Sequence, residues 1–536
     1  MTSAQLSEIS NLLRQTVTSS DRDTVSRLLH NTEQELRGCD AEINRLRIAM
    51  QSLENRKEGL KNTVERYRSL LSPIRRLPAE ILAHIFSFAC TRNEIGSDPP
   101  PAFRLSMVCG HWRDVALSTA GLWSSLFILF VKWQNRFPAL RRVVLMFMER
   151  SGVHPLHLSL SVYIKSNAKA NMEMQSVVDV LTRSCSRWEE VMLASFTEAS
   201  CLDALLRYNG SFPALQKVQV VTLCDPSRLL NLFRCSTSLH TLSVTLSRLS
   251  GDVVHSIDLP WNQIKTLQIS TVHPSPVLSL LTKLPRLETL DLSSIPNDEV
   301  HFHHTSHTIK SLALRYNSPG DDGRAMLKHL TIPNLSALEI KKCWPDTVPT
   351  RSWGSSIADF LTRSGCSLTS LRLNEVSLYD QQLIALLELT PTLTTLEIEE
   401  WQPMMPEDYL LTGTFLRRFI VVHQPEALHP GRRILLPRLT DIVFKVVQKE
   451  GLVEQDFFDL VASRWIPDPD RAREIGVECL RSVRITMVKG NSTASNSEYT
   501  LSTLECFRDA GLWVEVGTSD TDSLRPGGSV SRRIYL

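Results

Sequence analysis

Along most of the chain, apolar residues follow a short unit, apolar-x-x-apolar-x-apolar, that returns at near-regular intervals. It reads Trp188/Val191/Leu193, Leu215/Val218/Val220, Leu239/Leu242/Val244, Ile264/Leu267/Ile269, Leu287/Leu290/Leu292 and Ile309/Leu312/Leu314. It continues as Leu335/Leu338/Ile340, Leu368/Leu371/Leu373, Leu393/Leu396/Ile398, Leu416/Phe419/Val421, Leu439/Ile442/Phe444 and Leu480/Val483/Ile485. Successive first positions lie 27, 24, 25, 23, 22, 26, 33, 25, 23, 23 and 41 residues apart. The second and third positions alternate with polar residues, which predicts a half-buried strand in every unit. Between strands lie helical patterns over 277–284, 357–361, 383–387 and 457–461. A thirteenth strand is predicted at Leu512, Val514 and Val516, after a helix over 500–509. Leu156, Leu158, Leu160 and Val162 also alternate as a strand does.

Upstream the period changes. From Leu29 to Ile74 apolar residues fall on a heptad, with Leu29, Leu36, Ile43, Met50, Lys57, Val64 and Leu71 at a. Thr32, Cys39, Leu46, Leu53, Leu60, Tyr67 and Ile74 stand at d, and only Thr32 and Lys57 break the pattern. More than four sustained heptads with charged flanks predict a long helix and a coiled coil. Gly38 and Gly59 each weaken that helix by about 1 kcal/mol relative to Ala.

Between the heptads and the repeating units lies a third pattern. Pro78 suits a first helical turn, and Ile81, Leu82, Ile85, Phe86 and Ala89 recur behind it on one face. The Pro-rich run 97–101 reads as a connector. Leu105, Val108, Cys109, Trp112, Val115 and Ala116 recur at three and four, and Leu122-Trp123 closes the segment. So small a group of helices is marginal alone and needs a partner.

This stretch resembles the F-box, on the strength of Leu77-Pro78, Glu80-Ile81-Leu82, Ile85-Phe86, Leu105, Val108-Cys109, Trp112-Arg113, Ala116 and Leu122-Trp123. The resemblance implies docking onto a Skp-type adaptor of a cullin–RING ubiquitin ligase. The docking residues would be Leu77, Pro78, Ile81, Leu82, Ile85, Phe86, Val108, Trp112 and Trp123. Leu105, Cys109 and Ala116 would pack internally instead. The repeating body resembles a leucine-rich-repeat solenoid, with strands on one face and helices on the other. It departs from that family where an Asn or Cys usually follows each strand: Asn317 and Cys343 fit, whereas Ile295, Val376 and Trp401 do not. The whole resembles fungal F-box proteins that carry an N-terminal coiled coil.

The expected fold is therefore a multi-part α+β chain: a coiled-coil helix over 1–70, an all-α F-box over 71–126, a capping segment over 127–187, an α/β leucine-rich-repeat solenoid over 188–516 and a flexible tail over 517–536. Residues alternating with the apolar ones should line the solenoid's concave face. Arg315, Glu339, Lys341, Arg372, Glu397, Glu399, Arg418, Lys445 and Arg484 are thus the candidate contacts to a protein substrate whose identity is open. Residues 29–74 could also carry self-association.

Composition narrows the function. The 536 residues are too many for one core. Fifty-nine basic side chains balance 57 acidic ones, which argues against a nucleic-acid or membrane-surface role driven by bulk charge. The apolar run 126–131 is only six residues long and suits a buried strand rather than a membrane span. Eleven cysteines with no CxxC, and a start lacking a basic-then-apolar leader, favour a reducing intracellular setting in cytoplasm or nucleus. No phosphate-binding loop, dinucleotide fingerprint, HExxH or GxSxG is present, so no enzyme, cofactor or catalytic residue is expected. His301, His303, His304 and His307 cluster in sequence, but a zinc site needs three or four converging ligands, and a solvated loop is expected there.

Overall fold

The computed structural model describes residues 18–96, 98–133, 136–162, 168–195, 210–222, 225–246, 256–270, 273–297, 303–316, 323–343, 353–400, 410–423, 434–447, 454–488 and 504–519. Residues 7, 10–11, 13–14, 205 and 320 are described besides. The chain forms two compact units, Met1–His84 and Ile85–Leu536. Among the described residues no helix is long and apolar enough to cross a membrane.

The first unit is dominated by one helix, α1, Ser19–Leu71. Its start is a reciprocal cap. Thr18 Oγ1 accepts from the Asp21 amide at 3.4 Å, and the Asp21 carboxylate accepts from the Thr18 amide at 3.0 Å. The Thr18 hydroxyl also donates to the Asp21 carboxylate at 2.6 Å, and this bond, with the one from the Thr18 amide, holds the Asp21 carboxyl below its usual range. The end comes two residues before Pro73, which opens a short 3-10 turn over Pro73–Arg76. Ile74, expected at a heptad d position, therefore lies beyond the helix. Helix α2, Ala79–Ala89, runs across the division between the units.

In the second unit the chain order is β1 (Asn93–Ile95), α3 (Pro101–Val108), α4 (Gly110–Ser118), β2 (Ser125–Leu129), α5 (Phe137–Arg150), β3 (Leu156–Val162), α6 (Ala168–Thr182), β4 (Trp188–Ser195), β5 (Lys217–Thr222), α7 (Ser227–Leu230), β6 (Thr241–Leu246), β7 (Thr266–Ser270), α8 (Pro274–Leu281), β8 (Thr289–Ser293), β9 (His304–Thr305), β10 (Ser311–Tyr316) and α9 (Arg324–His329). It continues β11 (Leu330–Thr331), β12 (Ala337–Lys342), α10 (Trp353–Ser364), β13 (Ser370–Asn374), α11 (Asp380–Glu388), β14 (Thr395–Glu399), α12 (Gly413–Phe419), β15 (Asp441–Val447), α13 (Glu454–Arg464), α14 (Pro469–Ile475), β16 (Ser482–Val488), α15 (Glu505–Asp509) and β17 (Trp513–Ser519). Among the described residues fifteen strands form one parallel sheet in sequence order, and β9 and β11 pair apart from it.

Register explains the core. Leu126, Leu158, Val191, Val218, Leu242, Leu267 and Leu290 stand side by side across neighbouring strands. Leu312, Leu338, Leu371, Leu396, Ile442, Val483 and Val514 continue that row. A second row runs two residues further along each strand, from Ile128 to Val516, and both rows are buried for almost their full length. Helices supply the opposing face: the Phe415 ring on α12 meets Phe444 of β15 at 6.4 Å, and Trp353 on α10 meets Tyr316 of β10 at 5.5 Å.

The structure departs from expectation in four places. The segment Leu416/Phe419/Val421 is not a strand: Thr412 caps α12, whose buried Phe415, Leu416 and Phe419 have helical spacing, and β14 pairs directly with β15. The sheet opens not at Trp188 but at Asn93, just before the Pro-rich run, so 127–187 contributes the end of β2 and all of β3 to the sheet. Residues 517–519, expected in a loose tail, belong to β17, while 520–536 lie outside the described residues. Where the Asn or Cys after a strand is missing, left-handed turns stand instead. Ser294 and Glu375 have φ of 52° and 55°, and their amides donate to the carbonyls of Arg315 and Glu399 at 2.7 and 2.8 Å.

The long β14–β15 connection depends on one buried cation. Arg464 ends α13 at 1% exposure, with no carboxylate paired to it among the described residues. Its guanidinium donates to the carbonyls of Phe419 at 2.8 Å, Leu436 at 3.0 Å and Leu435 at 2.5 Å. Burial pushes its pKa down to about 10, so it stays charged at neutral pH. Leu436 has a φ of 49°, a costly conformation for a branched side chain. Arg464→Met should destabilise the chain by about 3 kcal/mol, because three buried acceptors lose their donors. Arg464→Lys should recover only part of that, since an ammonium cannot replace the planar fork. Urea unfolding followed by circular dichroism measures both.

Candidate functional site

The helices α2, α3 and α4 sort their apolar residues into two sets. On α2, Leu82 and Phe86 are four apart and buried, and Cys90 follows them inward. Phe86 meets the Trp112 ring of α4 at 4.8 Å. Ile81, Ile85 and Phe88, spaced four and three apart, share the opposite stripe of α2 and are exposed. Cys109 has extended backbone, which breaks the run between α3 and α4. Its Sγ then accepts from the Trp112 amide at 3.5 Å as the cap of α4. Ala102, Ser106, Val115 and Ala116 face inward, while Met107, Val108 and Leu117 point to solvent. Phe88, Met107 and Val108 are 70%, 65% and 60% exposed, unusual for large apolar side chains on two such short helices.

Trp123 anchors this region to the sheet. It is fully buried, its Nε1 donates to the Ala116 carbonyl at 2.7 Å, and its ring meets Phe147 of α5 at 5.1 Å and Phe103 of α3 at 5.5 Å. The Arg150 guanidinium lies 4.4 Å from the same ring. Trp188 repeats the arrangement: its Nε1 donates to the Leu181 carbonyl at 3.2 Å, and its ring meets Phe212 at 5.3 Å. Asn93, also fully buried, ties the Pro-rich segment down. Its Nδ2 donates to the carbonyls of Leu122 at 2.8 Å and Ser125 at 3.0 Å, and its Oδ1 accepts from the Ala102 amide at 3.1 Å.

The nine expected docking residues therefore divide. Ile81, Ile85 and Val108 are exposed, as is Pro78 at the head of α2; Leu77 and Trp112 are half-buried. Leu82, Phe86 and Trp123 are corrected: they are covered within the folded chain and present no surface. Phe88, Met107 and Leu117 are exposed as well and were not among the expected residues. Phe88 lies seven residues after Ile81 and three after Ile85, and that stripe was the available signal. Cys90, buried, has its thiol pushed up to about 11 and is poorly nucleophilic at neutral pH.

The outward face of the sheet carries eight of the nine expected substrate contacts. Glu339, Arg372, Glu397 and Arg484 occupy one row, and Arg315, Lys341, Glu399 and Lys445 another. Arg418 is corrected: it sits on α12 and pairs with Glu388 of α11 at 3.0 Å. The strand charges largely neutralise one another. Arg315 bonds Asp291 and lies 3.6 Å from Glu339, Arg372 lies 3.4 Å from Glu397, Lys445 pairs with Glu399, and Arg484 lies 2.6 Å from Glu515. Burial outweighs Arg315 at Asp291 and raises its pKa. Earlier strands form a groove of about 460 Å³ lined by Arg92, Phe127, His157, Met192, Lys217 and Gln219 among others. Arg92 stacks on Phe127 at 3.5 Å, and Lys217 lies 3.3 Å from Glu190.

Among the described residues no group of three or more His, Cys, Asp or Glu could hold a metal ion, and His301 lies outside them. His303 and His329 stack at 4.9 Å, and burial lowers the His304 pKa. Cys39, Cys90, Cys109, Cys235, Cys343, Cys366 and Cys479 are free thiols.

The F-box-like family model matches residues 74–129, from the 3-10 turn to the end of β2. In these residues the chain is similar to F-box-like domains. No curated protein matches the chain. The F-box-like domain points to protein–protein interaction, and it is continuous with the sheet, because β1 and β2 fall inside the matched residues.

The two sets of side chains should respond differently to substitution. Phe86→Ala and Trp123→Ala should each cost about 3–5 kcal/mol of stability. Val108→Asp should stay within about 0.5 kcal/mol of wild type. Denaturant midpoints of the three variants check the division.

Proposed function

We propose that this chain is a substrate-recognition subunit of a cullin–RING ubiquitin ligase. The observation that carries the proposal is the F-box-like match at residues 74–129 falling on helices that keep Ile81, Ile85, Phe88, Met107, Val108 and Leu117 exposed. A monomer does not hold such a set in water without cost, and a Skp-type adaptor is the partner that the F-box resemblance implies. The sheet is the recognition part: its sequential parallel strands and repeating apolar unit are read as a leucine-rich-repeat solenoid whose outward face binds the target protein. The chain itself performs no chemistry. It holds a target lysine near a charged conjugating enzyme and so raises the effective concentration of the reacting pair.

A second reading has one observation in its favour. The F-box-like residues supply β1, β2 and the buried Trp123, so they also cap the open end of the sheet, and a cap needs no partner. The exposed apolar side chains distinguish the two, since a cap alone gives no reason to keep them.

Co-expression of the full chain with a Skp-type adaptor tests the proposal. Wild type should retain the adaptor through purification. An Ile85→Asp/Val108→Asp variant should lose at least tenfold in affinity while melting within a few degrees of wild type. Failure of the folded wild type to bind would leave the capping role alone.

A further inference from the structure

Helix α1 presents an apolar stripe that no other described element of its own unit covers. Leu29, Leu36, Ile43, Leu46, Met50, Leu53, Leu60, Val64, Tyr67 and Leu71 all stand at heptad a or d positions and are 45–75% exposed. At 1.5 Å per residue, 53 residues make a rod of about 80 Å. Its ion pairs within the helix, such as Arg37–Glu33 at 3.7 Å and Lys61–Glu58 at 3.4 Å, are exposed and contribute little. A helix of this length with a sustained a/d stripe is stabilised by a second helix laid along the seam.

The flanking charges identify the second helix and its direction. The e and g positions of the first half carry Glu33, Glu35, Asp40 and Glu42, all acidic. Those of the second half carry Arg47, Glu54, Arg56, Lys61 and Arg68, four bases and one acid. In a parallel, in-register pair, g faces the e position of the partner's next heptad. Glu35 would then face Asp40 and Arg56 would face Lys61, against a single favourable pair, Glu42 with Arg47. Lys57, at an a position, would abut its own copy. Reversing one helix removes all three conflicts. The midpoint of Ser19 and Leu71 is residue 45, so full antiparallel overlap sets the acidic half of each copy along the basic half of the other. Lys57 then lies across from the stretch around Glu33 and Glu35, where its charge is compensated within the seam.

We infer that α1 is an antiparallel dimerisation helix whose partner is a second copy of this chain. The inference goes beyond the ligase reading and does not rest on it. Its consequence is a particle carrying two F-box-like domains and two sheets, which gives avidity for a target with two recognition elements.

The test uses the full chain. Sedimentation equilibrium should give a dimer at micromolar concentration, and an Ile43→Asp/Leu46→Asp variant should sediment as a monomer with its sheet melting unchanged. Orientation is read from Cys39, an exposed d-position thiol. Mild oxidation of wild type should give no covalent dimer that disappears in Cys39→Ser. Met50→Cys, which an antiparallel a–d layer places beside Cys39 of the other copy, should cross-link through Cys39. A wild-type monomer would overturn the inference altogether, including where the stripe is covered by a different protein. A Cys39–Cys39 disulfide formed in high yield would overturn the antiparallel arrangement.

Discussion

The structure depends on register. Fourteen strands lay two apolar side chains each on the same two rows, and one residue of slip in any strand would carry its leucines to the solvent face. The constraint is strong because the opposite face is polar almost throughout, with Thr241, Thr266, Thr289 and Ser311 side by side in one row. Parallel sheets usually bury both faces under helices. Here the alternation leaves one face open, so it is the register of the core that decides which side chains a target could meet.

The same register reaches into the F-box-like domain. Trp123 stands three residues before Leu126, as Trp188 stands three before Val191, so the tryptophan that closes the F-box-like segment is also the first apolar position of a repeating unit. Both tryptophans are buried and donate to a helix carbonyl. One side chain thus serves two structures, and its burial stabilises the sheet end and fixes α4 together. The division of labour on the helices follows: residues facing the sheet are consumed by packing, and Ile81 and Ile85 on the far stripe of α2 are exposed.

Most strands were legible because Leu-x-x-Leu-x-Leu fits a β period in its last two positions and recurs. The failures have physical causes. Leu416-x-x-Phe419-x-Val421 meets the same template, but Phe415 beside Leu416 and the Thr412 cap make the helical period the better fit, and the 23-residue spacings around it halve one 46-residue connection by coincidence. Asn93–Ile95 is too short to show alternation, and it is held by hydrogen bonds from Asn93 that no periodicity reveals. On the F-box-like helices, family resemblance points to apolar positions without saying which side of the helix faces the body. The outward charges were found, but their mutual pairing was not, although Glu339, Arg372 and Glu397 occupy equivalent positions in successive units and that alternation of sign was visible.

Hydrogen exchange of the uncomplexed chain tests most directly whether the F-box-like domain and the sheet are one cooperative body. The amides of β1, β2 and α4 should be protected to the same free energy as those of β3 and β4, and should lose that protection together as denaturant rises. Exchange of residues 85–123 at a much lower opening energy, with β3 onward unaffected, would contradict the account. Trp123 and Asn93 would then not join the two parts.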